Sequence, residues 1–232
     1  MKILIAIPTY NEFGNIDPLI ESINKENLNS DILFIDDNSK DNTQDAIKKN
    51  QANNSNIKLI SRDKKIGVGD AHLRGLEYAF ENNYNILVTM DADFTHNPKY
   101  IRDMILLAQN ADVAIGSRHI KKNSIETWSF RRRLLTKCAF FITKNFLQIS
   151  FDATSGFRAY NLTKINHEIF YNIKSKSYSF FVETSFMISK TLEVKVLPID
   201  MPIRFAEKSK MKFKDMLSTV FLILRLFFSR FI

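Results

Sequence analysis

Between Lys2 and Ser117, short apolar runs alternate with longer stretches in which apolar residues recur every three or four positions. The runs are KILIAIP, DILFIDD, IKLI, NILVTMD and DVAIGS, and the stretches between them cover 13–27, 41–52, 68–82 and 98–109. Ile3 to Ile7 and Ile86 to Met90 lack polar alternation, as expected of strands covered on both faces. The resulting βαβαβαβαβ order predicts an α/β fold with a parallel, doubly wound sheet. Asn97 before Pro98, and Asp41-Asn42-Thr43, carry helix-start chemistry at two of the boundaries.

Beyond Ser117 the order loosens. The pattern predicts a basic helix over 125–147, a short strand at 156–160, a helix at 181–192, a strand at 194–204 and a last helix from Phe213. Pro198 and Pro202 suit a strand at a sheet edge. In the last helix Leu217, Val220, Phe221, Leu224, Phe228 and Phe231 share one face. Arg225 interrupts the segment, which falls short of the ~20 apolar residues that cross a bilayer. An interfacial helix and a helix packed on the sheet or on a second subunit both fit. Leu134, Leu135, Cys138, Phe141 and Ile142 form a similar face on the basic helix. A chain of 232 residues, 45% hydrophobic, suits one core. We therefore expect one main domain over 1–210 and an amphipathic helix over 211–232.

Composition sharpens the division. The net charge is +8, with most acids in the first half, whereas 118–144 and 204–230 carry many lysines and arginines against few acids. That split suggests an anionic partner for the second half: phosphate, a membrane surface or nucleic acid. The single cysteine, Cys138, rules out an internal disulfide. With no charged leader or apolar signal core at the start, a cytoplasmic location is expected.

In an open α/β sheet, ligands bind at the carboxyl ends of the strands. The residues there are Pro8 to Glu12, Asp36 to Ser39, Gly67 to Gly69, Asp91 to Asp93 and Gly116 to Arg118. The carboxylates of Asp91 and Asp93 repel one another unless a cation intervenes, and oxygen-only ligation suits Mg²⁺ or Mn²⁺ shared with a diphosphate. A turn acid and a helix-capping acid would be the plain alternative. Gly67 and Gly69 form a G-x-G without the full dinucleotide pattern, so they shape either a ligand wall or an ordinary loop.

With these motifs in view, the chain resembles inverting GT-A glycosyltransferases, specifically the polyprenyl-phosphate glycosyltransferases. The matching stretches are IPTYNE, IDDNSKDNT, GVGDA, MDADFTHNP, GSR, TSGFRAY and RFAEKSKM, in order along nearly the whole chain. The resemblance implies a GT-A, Rossmann-like, mostly parallel sheet with helices on both faces. It implies a GDP- or UDP-sugar donor held by Pro8, Tyr10, Glu12, Ile35, Asp37 and Ala92, and a metal, Mg²⁺ or Mn²⁺, at Asp91 and Asp93. Arg118 would reach the phosphates or the acceptor, and Arg204 and Lys210 would clamp the pyrophosphate. Glu207 stands where the family's closing loop carries glycine, a departure that puts closure in doubt. Thr95, a poor ligand, is left out of the metal set.

Polyprenyl phosphate is the implied acceptor. Phosphate monoesters have a second pKa near 6, so this nucleophile is already anionic at neutral pH and needs no strong base. Arg118, Arg131, Arg132, Arg133 and Arg158 are candidates to receive it, with Arg131 and Arg158 the main pair. An acceptor hydroxyl would require a carboxylate base instead, for which Glu183 is the candidate, although a buried acid paired with an arginine is the simpler reading of that residue. A non-catalytic nucleotide-sugar or nucleic-acid binder would leave the strand-end acids without a task, so no nucleic-acid partner is expected. The expected setting is the cytoplasmic face of a membrane, with the enzyme bound peripherally.

Overall fold

The computed structural model describes residues 1–202 and 213–229. Seven strands form one sheet: β1 (Ile3–Thr9), β2 (Ser30–Asp36), β3 (Ile57–Ser61), β4 (Ile86–Thr89), β5 (Val113–Ser117), β6 (Arg158–Asn161) and β7 (Val194–Pro198), in the order β3-β2-β1-β4-β6-β5-β7. The apolar runs sit where the pattern put them. Ile5, Ile7, Leu33, Phe34, Leu87 and Val88 are fully buried, as strands covered on both faces require. Helices α1 (Phe13–Lys25), α2 (Thr43–Asn53) and α4 (Ile101–Gln109) pack on one face of the sheet. On the other lie α3 (Val68–Glu81), α6 (Ser179–Thr191) and α7 (Phe213–Phe228).

Two features differ from a simple alternation. β6 is antiparallel and inserted between β4 and β5, pairing Thr89 with Arg158 and Val113 with Tyr160. Its entry therefore lies at the rim where β4 and β5 end, and the 152–157 segment joins the strand-end loops there. The last strand ends at Pro198, parallel to β5 at the sheet edge, where a proline without an N–H is tolerated, and the Ile199 N–H still bonds the Ser117 carbonyl at 3.0 Å.

Local chemistry sets the element starts. Asn97 accepts the Lys99 N–H at 3.0 Å, and Asp41 accepts the Thr43 N–H at 3.0 Å. The chain leaves β1 toward β2 and later returns to β4 on β1's other side. That reversal is the topological switch point at which α/β sheets open a crevice.

α5 (Phe130–Phe146) is held loosely: of its side chains only Thr143 is buried. Leu134, Leu135, Phe141 and Ile142 are all exposed. α7 has two apolar faces. Leu222, Ile223 and Leu226 join the main core, so 213–229 is continuous with the body of the fold. Leu217, Val220, Phe221, Leu224 and Phe228 remain exposed. The two helices meet where the Phe146 and Phe227 rings lie 5.5 Å apart. No described helix is long and apolar enough to cross a membrane.

Candidate active site

The carboxyl ends of β1, β2, β4 and β5 bring together most of the residues singled out from the sequence. On the β1–β2 side the loops are laced by polar contacts. The Asn11 N–H donates to the Ser39 hydroxyl at 2.8 Å, and the Glu12 N–H donates to the Thr43 hydroxyl at 2.8 Å. Pro8, Tyr10 and Glu12 are partly exposed along this wall, and the Lys65 ammonium sits 3.3 Å from the centre of the Tyr10 ring. Asp37 accepts the Ile66 and Gly67 N–H groups at 2.8 and 2.9 Å and pairs with Arg62 at 3.2 Å. It thereby ties the β2 end to the start of α3.

Two expectations on this side change. The Ile35 side chain is fully buried in the core beneath α3, so it forms no part of a ligand wall. Gly67 and Gly69 serve close packing. A Cβ at Gly67, where φ is +136°, would lie 2.4 Å from the Lys176 carbonyl oxygen, and one at Gly69 would lie 2.4 Å from the Phe180 Cβ.

At the end of β4, Asp91 is partly exposed, whereas Ala92 and Asp93 are buried. The loop orients its own acids. Asp93 Oδ1 accepts the Thr95 N–H at 3.1 Å and the Thr95 hydroxyl at 2.6 Å. The Asp91 N–H donates to His96 Nδ1 at 2.9 Å, and the His96 ring stacks on Phe157 with centroids 5.2 Å apart. Burial lowers the basicity of His96, against the opposing pull of Asp91 and Asp93. With Nδ1 engaged by an amide, the loop offers oxygen donors only. Among the described residues no group of three or more His, Cys, Asp and Glu could hold a metal. A pair of carboxylates completed by substrate phosphates is the usual Mg²⁺ arrangement, so the donor set fits Mg²⁺ or Mn²⁺.

At the end of β5, Arg118 is held from behind by residues that sequence reasoning missed. Its Nε donates to Asp152 at 2.7 Å and its Nη2 to the Thr154 hydroxyl at 3.3 Å. Burial raises the Asp152 carboxyl, but Arg118 and His119 outweigh it and hold the group below its ordinary range. Arg118 also lies 5.8 Å from the Trp128 ring, and Arg132 covers that ring at 3.5 Å. Asp152 lies two residues before TSGFRAY, and its place behind Arg118 became visible only once β6 ran antiparallel.

Arg158 does not reach the rim. It is 1% exposed and donates to the Ser155 and Phe181 carbonyls at 2.8 and 2.9 Å, to Thr184 at 2.7 Å and to Ser185 at 2.9 Å. Its guanidinium is used up in joining β6 to α6, which removes it from the acceptor set. Arg131 is exposed at the start of α5. Glu183 is buried, accepts the Lys174 and Ser175 N–H groups at 3.2 and 2.8 Å and pairs with Arg225 at 3.3 Å. That is a structural role, as the simpler reading had it. Arg204, Glu207 and Lys210 lie outside the described residues.

With the crevice at the β1–β4 switch and an acid pair at its mouth, comparison with known proteins becomes decisive. Residues 4–170 match the model of Glycosyl transferase family 2. The chain belongs to that family. It is 29% identical to undecaprenyl-phosphate mannosyltransferase of Micrococcus luteus, over 90% of this chain and 85% of the relative. It is 32% identical to dolichol-phosphate mannosyltransferase of Pyrococcus furiosus, over 92% of this chain and 60% of the relative. Glucosyl-3-phosphoglycerate synthase of Mycobacterium tuberculosis, solved with Mn²⁺, UDP and glucosyl-3-phosphoglycerate, superposes with a TM-score of 0.64 at 16% identity, covering 99% of this chain and 79% of that one. The sheet is thus a GT-A fold, and this member of the family is a glycosyltransferase.

Proposed function

We propose that this glycosyltransferase moves one hexose, of the mannose or glucose type, from a GDP- or UDP-sugar to polyprenyl phosphate with inversion at the anomeric carbon. The observation that carries the reading is the pairing of an acid rim at β1, β2 and β4 with a cationic rim at Arg118 and α5. Relatives that match over most of the chain are named for polyprenyl-phosphate mannosyl transfer.

Asp91 and Asp93 would hold Mg²⁺ or Mn²⁺ near the donor diphosphate, where the ion would offset the negative charge that develops on the leaving nucleoside diphosphate. Pro8, Tyr10, Glu12 and Asp37 form the nucleotide side, and the Ala92 backbone lies beside the diphosphate. Arg204 and Lys210 complete the clamp. Arg118, steadied by Asp152, and Arg131 bring the acceptor phosphate in line with the anomeric carbon, overcoming the repulsion of two anions. The structural engagement of Glu183 favours a phosphate acceptor over a hydroxyl acceptor, since the candidate base for the latter is already bonded.

The exposed apolar residues of α5 and α7, flanked by Arg131, Lys137, Lys144 and Lys214, suit peripheral attachment to an anionic leaflet on the cytoplasmic side.

The test is transfer of radiolabelled mannose, glucose and N-acetylglucosamine, from GDP and UDP donors, to short polyprenyl phosphate with Mg²⁺ or Mn²⁺. A lipid-linked product with a hexose donor is expected. Failure with every donor overturns the reading.

A further inference from the structure

The loop from Asp91 to His96 closes on itself. Thr95 grips the carboxylate of Asp93 directly, whereas His96 meets Asp91 through Nδ1, which accepts the Asp91 amide at 2.9 Å and lies 3.8 Å from the carboxylate. Phe94, between the acids and His96, has φ +61°, a left-handed conformation that a bulky side chain adopts only under constraint from its surroundings.

His96 is 1% exposed, and its Nε2 is buried with no hydrogen-bond partner among the described residues. A stranded N–H costs about 1–3 kcal/mol. Its ring is stacked on Phe157, 16° from parallel, in a slot that a phenylalanine would fill without that cost. Stability alone does not account for an imidazole here. The same stack anchors the Gly156-Phe157 segment, and a Cβ at Gly156 would lie 3.6 Å from Asp91 Oδ1. His96 thus braces the Asp91 backbone and one wall beside its carboxylate.

We propose that His96 is the positioning residue for Asp91, fixing through Nδ1 the turn that aims this carboxylate at the metal-diphosphate. The inference rests on the reading of Asp91 and Asp93 as metal ligands.

Three variants of the full chain test it. His96→Phe keeps the stack and removes the acceptor, His96→Asn returns an oxygen near the Nδ1 position, and Asp93→Asn reports on the metal reading itself. Mn²⁺ binding is followed by electron paramagnetic resonance with nucleoside diphosphate present, alongside kcat and the melting temperature. Substitutions behind a metal ligand typically cost 10- to 100-fold. His96→Phe is therefore expected to weaken Mn²⁺ binding and lower kcat by at least about tenfold without lowering the melting temperature, with His96→Asn recovering much of both. Unchanged Mn²⁺ affinity and kcat in His96→Phe overturn the proposal, as does equal loss in both His96 variants together with a lowered melting temperature. If Asp93→Asn binds Mn²⁺ like the parent, the metal reading fails, and the kcat comparison of the two His96 variants still decides whether His96 positions Asp91.

Discussion

At the scale of single residues, two buried polar groups in this protein do opposite kinds of work. Asp93 is held by Thr95 through one oxygen, and asparagine can keep that oxygen while losing the charge. Asp93→Asn is therefore expected to leave the melting temperature unchanged or raised while lowering kcat about a hundredfold or more, read by transfer assays and thermal unfolding. Arg158, by contrast, is spent entirely on carbonyls and hydroxyls of the 153–155 loop, β6 and α6. Arg158→Met removes these charge-assisted bonds from a buried site and leaves the Ser155 carbonyl without its Arg158 donor, although the Thr184 and Ser185 hydroxyls keep their bonds to the Phe180 and Ala153 carbonyls. Hydrogen bonds to a charged group contribute about 1.5–3 kcal/mol each. A loss of about 3 kcal/mol or more is expected in urea unfolding, a large share of the ~5–15 kcal/mol that a domain possesses. Asp152 connects the two kinds: Asp152→Asn weakens the charge-assisted bond to Arg118, and should raise the KM for polyprenyl phosphate more than the KM for the donor, as steady-state kinetics would show.

At the scale of elements, α7 separates folding from attachment. Leu222, Ile223 and Leu226 face the core, whereas Val220, Phe221 and Leu224 are exposed, Phe221 at 69%. Leu226→Ala should cost about 2–5 kcal/mol of stability. Phe221→Ser with Leu224→Ser should cost little stability and weaken binding to anionic vesicles roughly tenfold to a hundredfold, since each apolar side chain buried in lipid contributes about 1.5–3 kcal/mol before incomplete insertion is allowed for. Sedimentation with vesicles, beside thermal unfolding, separates the two outcomes. Of the face drawn from the sequence, Leu217, Val220, Phe221, Leu224 and Phe228 are left uncovered by the fold, and Phe231 lies outside the described residues. The sequence pattern alone showed one apolar stripe, because a second face of Leu222, Ile223 and Leu226 becomes visible as core only when α6 lies against it.

At the scale of the whole molecule, His72 and His96 are buried and His119 is half-buried, and burial lowers the basicity of each. His72, between the Phe180 and Phe181 rings, is taken down to about 3, and His96 and His119 shift in the same direction. A folded-state pKa below the unfolded value of ~6.5 means that the unfolded chain binds more protons below that pH. Stability therefore falls as pH drops from about 6.5 toward 3, by about 1.4 kcal/mol per pH unit from His72 alone. Asp152, held low in the fold, adds a loss only at more acidic pH, as its own carboxyl protonates. Urea unfolding between pH 7 and pH 4 should show this slope, and His72→Phe should make it shallower by His72's share.

The strands, most helices and the acid pair were legible in the sequence, because they rest on local rules. Buried parallel strands must be continuously apolar, helices must repeat near 3.6, and ligands must meet strand ends. What remained hidden depended on contacts between distant segments. Nothing local states that β6 runs antiparallel between β4 and β5, yet that choice brings Asp152 and Thr154 behind Arg118 and Phe157 beneath His96. Arg158 and Ile35 looked like site residues by position along the chain, and burial decided otherwise, since an arginine satisfied by six neighbours' oxygens has no donor left for a phosphate. The sequence by itself determined which chemistry the rim could carry. The tertiary structure decided which side chains stand at that rim, because orientation and desolvation are properties of packing between segments that the chain keeps far apart.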